Sequence, residues 1–282
     1  MRKGRVGFVF MWGSGIGVSM LVLCIFIFLC RDALAFFDQY SFFEFLSGKV
    51  WRPEADVYGL APMLFGSLIT TLLALLIALP IGVFAVLAMQ YYCGKRLRSA
   101  IEFFINVAAG IPSVVYGLFG LILLCPLTAK WVGGAGFSAL SASVLLAIMI
   151  LPTVMSLYYA EVASVVPEYY ACALALGESS EKSIIKCVLP KTAYGILSAA
   201  ILAVGRAIGE TMAVLMVAGN ISKINFDLTQ GIRTLTTNIA LEMGYASGTH
   251  RLALIASGFV LLCVVLLLEF VLYFLKRKMA DE

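Results

Sequence analysis

The sequence predicts an all-α, polytopic membrane protein with about six transmembrane helices. Three observations carry that prediction. Across 282 residues, 62% are hydrophobic and 13% charged, whereas soluble domains run near about 45–50% apolar and about 25% charged. Six apolar runs (6–30, 62–89, 101–124, 137–159, 192–218 and 252–275) each reach the ~20 residues that a ~30 Å hydrocarbon core requires. Every second connection between them is basic, the pattern that sets orientation in a bilayer.

Taken in order, the first run follows Arg2, Lys3 and Arg5, like a signal peptide's n-region. It is too long for an h-region and lacks a clear small-residue cleavage site, so it is expected to remain a span. An acid-rich outer loop follows, with Asp32, Asp38, Glu44, Glu54 and Asp56. Pro80 sits in the second run, Gly110-Ile111-Pro112 in the third and Pro152 in the fourth. Each is expected to kink its helix, which membrane helices tolerate where neighbours satisfy the freed carbonyls. Lys95, Arg96 and Arg98 precede the third run, and segment 125–136 holds Lys130 as its one basic residue. Lys182, Lys186 and Lys191 precede the fifth, while Lys276, Arg277 and Lys278 follow the sixth. Residues 233–244 are expected to form a short outer-surface or re-entrant helix. The basic loops and both termini are then cytoplasmic.

Composition also excludes. The net charge of +4 comes without a basic patch interleaved with exposed aromatics, which argues against a nucleic-acid partner. Seven scattered cysteines (Cys24, Cys30, Cys93, Cys125, Cys172, Cys187, Cys263) form no C-x-x-C pair, so neither a disulfide framework nor a metal site is expected. An intramembrane metalloprotease needs H-E-x-x-H, and His250 is the sole histidine. The aspartates fall outside the apolar runs, which leaves an intramembrane aspartyl protease without its residues. Gly48-Lys49 and Gly94-Lys95 are followed by Val50 and Arg96, so no P-loop is present and ATP must be hydrolysed elsewhere. No enzyme chemistry and no cofactor are expected.

The fifth run carries the sharpest chemical feature, Gly205-Arg206-Ala207-Ile208-Gly209-Glu210. A central arginine costs about 2.5–3.5 kcal/mol on insertion scales and is seldom without purpose. Arg206 and Glu210 stand four apart, so on a continuous helix they share one face and pair. Gly205 and Gly209 form a small-xxx-small stripe that admits another helix closely. A buried cation held by an internal anion points to a path for something negatively charged; the alternative is an ion pair that only locks two helices.

The connection 161–191 is the second informative region. Pro167 is expected at a first helical position with Glu168 in the first turn, and Gly177 at the helix end. Ser179 or Ser180 is expected to cap a second helix that Pro190 ends. Two short helices at a glycine corner suit a groove on another protein; a hairpin lying on the membrane surface is the alternative.

These residues carry a resemblance. Ala173-Leu174-Ala175-Leu176-Gly177, followed by Val188-Leu189-Pro190, resembles the EAA loop through which ABC-transporter permeases dock on their ATPases. Gly205-Arg206-Ala207-Ile208-Gly209-Glu210-Thr211-Met212-Ala213-Val214, then Val217-Ala218-Gly219-Asn220, resembles the phosphate-uptake permeases, of the PstC rather than the PstA type. Segments 110–117 and 234–243 support this. Ala171 stands where the EAA loop usually begins with Glu, and Cys187 where Ile usually precedes x-Leu-Pro. Both departures concern the bracing of the docking loop.

The resemblance implies a type I ABC importer permease, with a first helix and outer loop over 1–60 and a permease domain over 61–282. It implies a PstA-like second permease subunit, two ATP-binding subunits and an extracytoplasmic phosphate-binding protein. Arg206 would contact passing phosphate, with Glu210 holding Arg206 and keeping the site from trapping the anion. Gly205 and Gly209 would pack at the pathway, and Ala173, Leu176, Gly177, Leu189 and Pro190 would form the ATPase-coupling loop. Sulfate or molybdate would suit the same charge. An ion-coupled secondary transporter would need more deep acidic residues than Glu210 alone.

Overall fold

The computed structural model describes residues 2–280, with side chains described for all of these except 2–11, 165–167 and 279–280. The side chains of Arg2, Lys3, Arg5 and Pro167 therefore lie outside the described residues. Helix α1 (Arg2–Phe37) leads into a short helix, α2 (Phe42–Ser47), and a small antiparallel hairpin of β1 (Trp51–Arg52) and β2 (Val57–Tyr58). Then come α3 (Ala61–Tyr91), α4 (Lys95–Gly110), α5 (Ser113–Phe119) and, after a π-turn at Gly120–Leu124, α6 (Cys125–Val132). Helix α7 (Ala139–Ala175) is followed by α8 (Ser180–Ser183), a second π-turn at Ile184–Val188 and α9 (Leu189–Lys191). The chain ends with α10 (Ala193–Gly209), α11 (Met212–Val217), α12 (Leu235–Glu242) and α13 (Gly248–Ala280).

Among the described residues, five helical stretches are long and apolar enough to cross a bilayer: Trp12–Phe37, Ala61–Tyr91, Ser113–Val132, Ala139–Ser164 and Gly248–Lys278. A bent pair, Ser180–Lys191 with Ala193–Gly209 at 59°, brings the number to six. Pro80 and Pro152 leave α3 and α7 unbroken.

Three expected boundaries are corrected. The third span begins about a dozen residues later than its apolar run, because Ile111 is extended (φ −69°, ψ 129°) and Pro112 caps α5. Proline disfavours the helical conformation in the residue before it, so the chain breaks there instead of kinking. The helix expected to start at Pro167 is the end of α7, whose 37 residues run about 55 Å and carry it well past the membrane core. The fifth span stops at Gly209, where Glu210 turns extended (φ −70°, ψ 128°) before α11 begins. By contrast, α12 forms inside the segment expected to hold a short outer helix.

Packing places the break in α10 at the centre. α3, α5, α7, α10 and α11 share one buried core that includes Ala74, Leu145, Ile150, Ala203, Ala207 and Val214. A second core joins the end of α1, the hairpin and the start of α13 around Phe36, Trp51, Tyr58 and Leu254. A third core holds the turn after α7 against α3 and α7 through Val86, Tyr158, Ile184 and Val188.

Candidate functional site

Arg206 lies on the last turn of α10, half-buried. Its Nη1 donates to Thr153 Oγ1 on α7 at 2.8 Å. Among the described residues no ion pair joins it to Glu210. The pairing expected from four-residue spacing holds only on a continuous helix, and α10 ends one residue before Glu210. The Glu210 carboxylate instead accepts the Ala213 amide at 3.1 Å. It thereby caps the start of α11, where a carboxylate also meets the positive end of the helix. The Glu210 amide donates to Ala207 O at 3.3 Å, and its carbonyl accepts the Thr236 hydroxyl at 3.0 Å. The cation and the carboxylate thus flank a broken helix with separate partners.

The neighbouring half-helix comes close because glycine allows it. A Cβ at Gly117 on α5 would meet Met216 Sδ at 2.7 Å and Ala213 Cα at 3.1 Å. Tyr116 bridges the 111–112 break by donating its hydroxyl to Ala108 O at 2.9 Å. The α10 glycines behave differently from each other. A Cβ at Gly205 would lie 3.0 Å from Glu269 Oε1 on α13, whereas one at Gly209 would have no atom within 4 Å. The stripe expected to pack one helix therefore meets a helix of this chain only at Gly205.

The turn between α7 and α8 has the expected corner. Gly177 ends α7 in the left-handed region (φ +87°), with its amide donating to Leu174 O and that of Glu178 to Ala173 O. Ser179 caps α8 by accepting the Lys182 amide. Ala173 is buried, Leu189 half-buried and Pro190 exposed, while Leu176 at the tip is 86% exposed. Pro190 does not end the second helix; it sits at the start of α9 and the bend falls at Thr192, whose hydroxyl bonds that of Tyr158 at 2.8 Å. Tyr170 OH and Ser180 Oγ stand 2.8 Å apart across the corner, and the Tyr170 ring packs on Tyr91. That contact supplies bracing next to Ala171.

In the hairpin, Tyr58 donates its hydroxyl to Asp56 Oδ1 at 3.0 Å. Burial and this carboxylate push its phenol up to about 12, so it remains a donor. The sequence assigned no role to Thr153, nor to Thr236 beyond its place in the 234–243 segment that carried the resemblance, nor to the cluster of Trp51, Arg233, Glu242 and His250. Thr153 and Thr236 are ordinary residues in apolar or polar stretches; Arg233 and Glu242, flanking a short apolar helix, were the one visible signal.

Residues 78–281 match the family model described as the inner membrane component of binding-protein-dependent transport systems. The chain belongs to that family. Among curated relatives, the phosphate transport system permease protein PstC of Mesorhizobium japonicum is 32% identical over 260 residues, covering 83% of this chain and 79% of that protein. The PstC of Xylella fastidiosa (strain Temecula1) is 31% identical over 241 residues, covering 78% and 74%. Among solved structures, an ABC transporter importing the acidic polysaccharide alginate aligns with TM-score 0.65 at 16% identity, over 95% of this chain and 96% of that one. An inward-facing MetNI methionine transporter aligns with TM-score 0.59 at 19% identity, over 78% and 94%. These two share the permease fold, and the chain is a multi-pass membrane protein of the ABC-importer permease type.

Proposed function

We propose that this chain is a permease subunit of an ATP-driven importer that moves inorganic phosphate inward across the cytoplasmic membrane. The observation that carries the reading is Arg206: a guanidinium at a break in a central helix, held by the neutral Thr153 and not neutralised by Glu210. Such a cation can offer charge-assisted hydrogen bonds to an oxyanion. Phosphate as that oxyanion is supported by the relatives named PstC. Glu210 stands one turn away and keeps the local field from trapping the anion, since transport needs binding weak enough to leave.

In this reading the chain is not itself an enzyme. Two ATP-binding subunits hydrolyse ATP, and they dock on the turn within residues 161–191, where exposed Leu176 projects beside Gly177. A PstA-like permease subunit completes the pathway and meets the open face at Gly209. An extracytoplasmic phosphate-binding protein delivers the anion. Residues 1–60 form the first span and outer loop, 61–282 form the permease domain, and both termini are cytoplasmic.

The test is phosphate uptake in cells lacking this chain, with sulfate uptake as control. Loss of phosphate uptake alone, restored by resupplying the chain and abolished by ATP depletion while the proton gradient is held, is the expected result. Loss of sulfate uptake alone would move the assignment to another oxyanion, and uptake that survives ATP depletion would make the chain a secondary transporter.

A further inference from the structure

The outer face holds a second charged cluster that the path above leaves unused. Glu242, at the end of α12, is 6% exposed. Its Oε2 accepts Trp51 Nε1 from the hairpin at 2.7 Å and lies 2.9 Å from His250 Nε2 on α13. Its Oε1 accepts Arg233 Nη1 at 2.8 Å. Arg233 also donates to Asn238 Oδ1 and, through Nε, to Asn220 O, both at 3.0 Å. In a buried ion pair desolvation offsets much of the attraction, so the main effect of these converging bonds is to fix geometry.

What they fix is α12, a helix of eight residues and about 12 Å. Its other end is fully engaged. Thr234 and Thr237 form a reciprocal capping box, and the Leu235 amide donates to Ser67 Oγ at 2.9 Å. Gly66 lets the α3 backbone lie against the Arg233 carbonyl, a space that any Cβ would fill. Most of the amides that a helix start could offer an anion are therefore taken. From this end one hydroxyl reaches the broken helix: Thr236 Oγ1 donates to Glu210 O at 3.0 Å.

That carbonyl belongs to an extended residue within a membrane protein's interior, where an unsatisfied backbone oxygen is costly. Without a donor there, the chain regains satisfaction by continuing α10 one more turn. Glu210 then falls four residues from Arg206 on one helical face, where acid and base pair. The cation would be neutralised.

We propose that Thr236 is a positioning residue for the anion path. Braced from the outer surface by the Glu242 cluster, it holds the Glu210 carbonyl and keeps α10 broken, so that Arg206 stays unpaired. This rests on Arg206 and Glu210 lining the path.

The test compares Thr236→Val, which has nearly the same shape but no donor, with Thr236→Ser, which keeps the donor. Both are measured in the complete importer at matched membrane levels. Two quantities are read: the half-saturating phosphate concentration for uptake, and hydrogen exchange across residues 210–217 in the purified complex. Thr236→Val is expected to raise half-saturation roughly three- to ten-fold, the scale of one buried hydrogen bond. It should also slow exchange at the Thr211 and Met212 amides, which a continued α10 would bond to Ala207 O and Ile208 O, and Thr236→Ser should restore both. The proposal is overturned if exchange and half-saturation stay at wild-type values in the valine variant. It is equally overturned if only maximal rate falls, in step with membrane abundance, or if serine fails to restore. Should exchange respond and serine restore it in a complex that carries sulfate and not phosphate, the phosphate assignment falls and the positioning role stands.

Discussion

Arg206 reaches Thr153, 53 residues earlier in the chain, with a 2.8 Å hydrogen bond from Nη1 to Oγ1, while Glu210 only four residues away bonds the Ala213 amide instead. The two charges therefore have separate structural duties, and removing one does not strand the other as the broken half of a buried pair.

The consequence is that Arg206→Gln folds. Gln retains a donor for Thr153, and membrane levels should stay close to wild type while phosphate uptake falls at least about ten-fold, because the charge-assisted contact is gone. Glu210→Gln keeps an acceptor for the α11 cap and should also keep abundance. Glu210→Ala loses the cap at a cost of about 0.5–2 kcal/mol. Quantitative immunoblots beside uptake assays decide this; a collapse in abundance for Arg206→Gln would restore the ion-pair view.

Gly177 has φ +87°, a conformation that costs an L-residue roughly 1–2 kcal/mol and a β-branched one more. No atom within 4 Å would obstruct a Cβ there, so the strain is conformational and local. Gly177→Val should leave the protein in the membrane and cut co-purification of the ATPase subunits several-fold. Full co-purification together with normal uptake would exclude this corner from docking.

Orientation is testable with single cysteines at two exposed positions, Ser99 on α4 and Ser247 before α13. A membrane-impermeant maleimide should label the cysteine replacing Ser247 on intact cells and the one replacing Ser99 only after lysis, since basic connections stay inside. The opposite pattern would invert the topology.

Glu242→Leu leaves Arg233 and His250 facing a buried apolar side chain. Stripping one partner from a buried pair costs about 3–5 kcal/mol, so the thermal midpoint of the detergent-purified protein should fall markedly. Glu242→Gln keeps acceptor capacity and should fall less. Equal midpoints for all three proteins would show that the cluster is not a brace.

Much of this was legible in the chain. Apolar runs and alternating basic loops are local properties, and a ~20-residue apolar stretch has few fates other than a span. Gly177 announced its left-handed corner because glycine alone adopts it freely, and Arg206 announced itself by its cost in a membrane. The breaks were harder. Gly110 and Pro112 marked one, yet looked like a kink within a run whose hydrophobicity continued across them. The break after Gly209 carried no proline, and the spacing of Arg206 and Glu210 argued for a continuous helix.

The sequence by itself determined the number of spans, the alternation of basic and acidic connections, the glycine corner after the fourth span and the central cation. Tertiary structure decided which partners the charged residues take. Thr153, Thr236 and Ala213 reach Arg206 and Glu210 through hydroxyls and an amide whose residues mark no periodicity, and two of the three come from distant parts of the chain. Whether α10 continues or breaks is a contest between a local helical bond with four-residue ion pairing and the donors that satisfy an extended Glu210, the distant Thr236 hydroxyl and the nearby Ala213 amide. Only the tertiary placement of α12 beside Glu210 supplies the Thr236 hydroxyl, and only the packing of α7 against α10 supplies the Thr153 oxygen that accepts from Arg206.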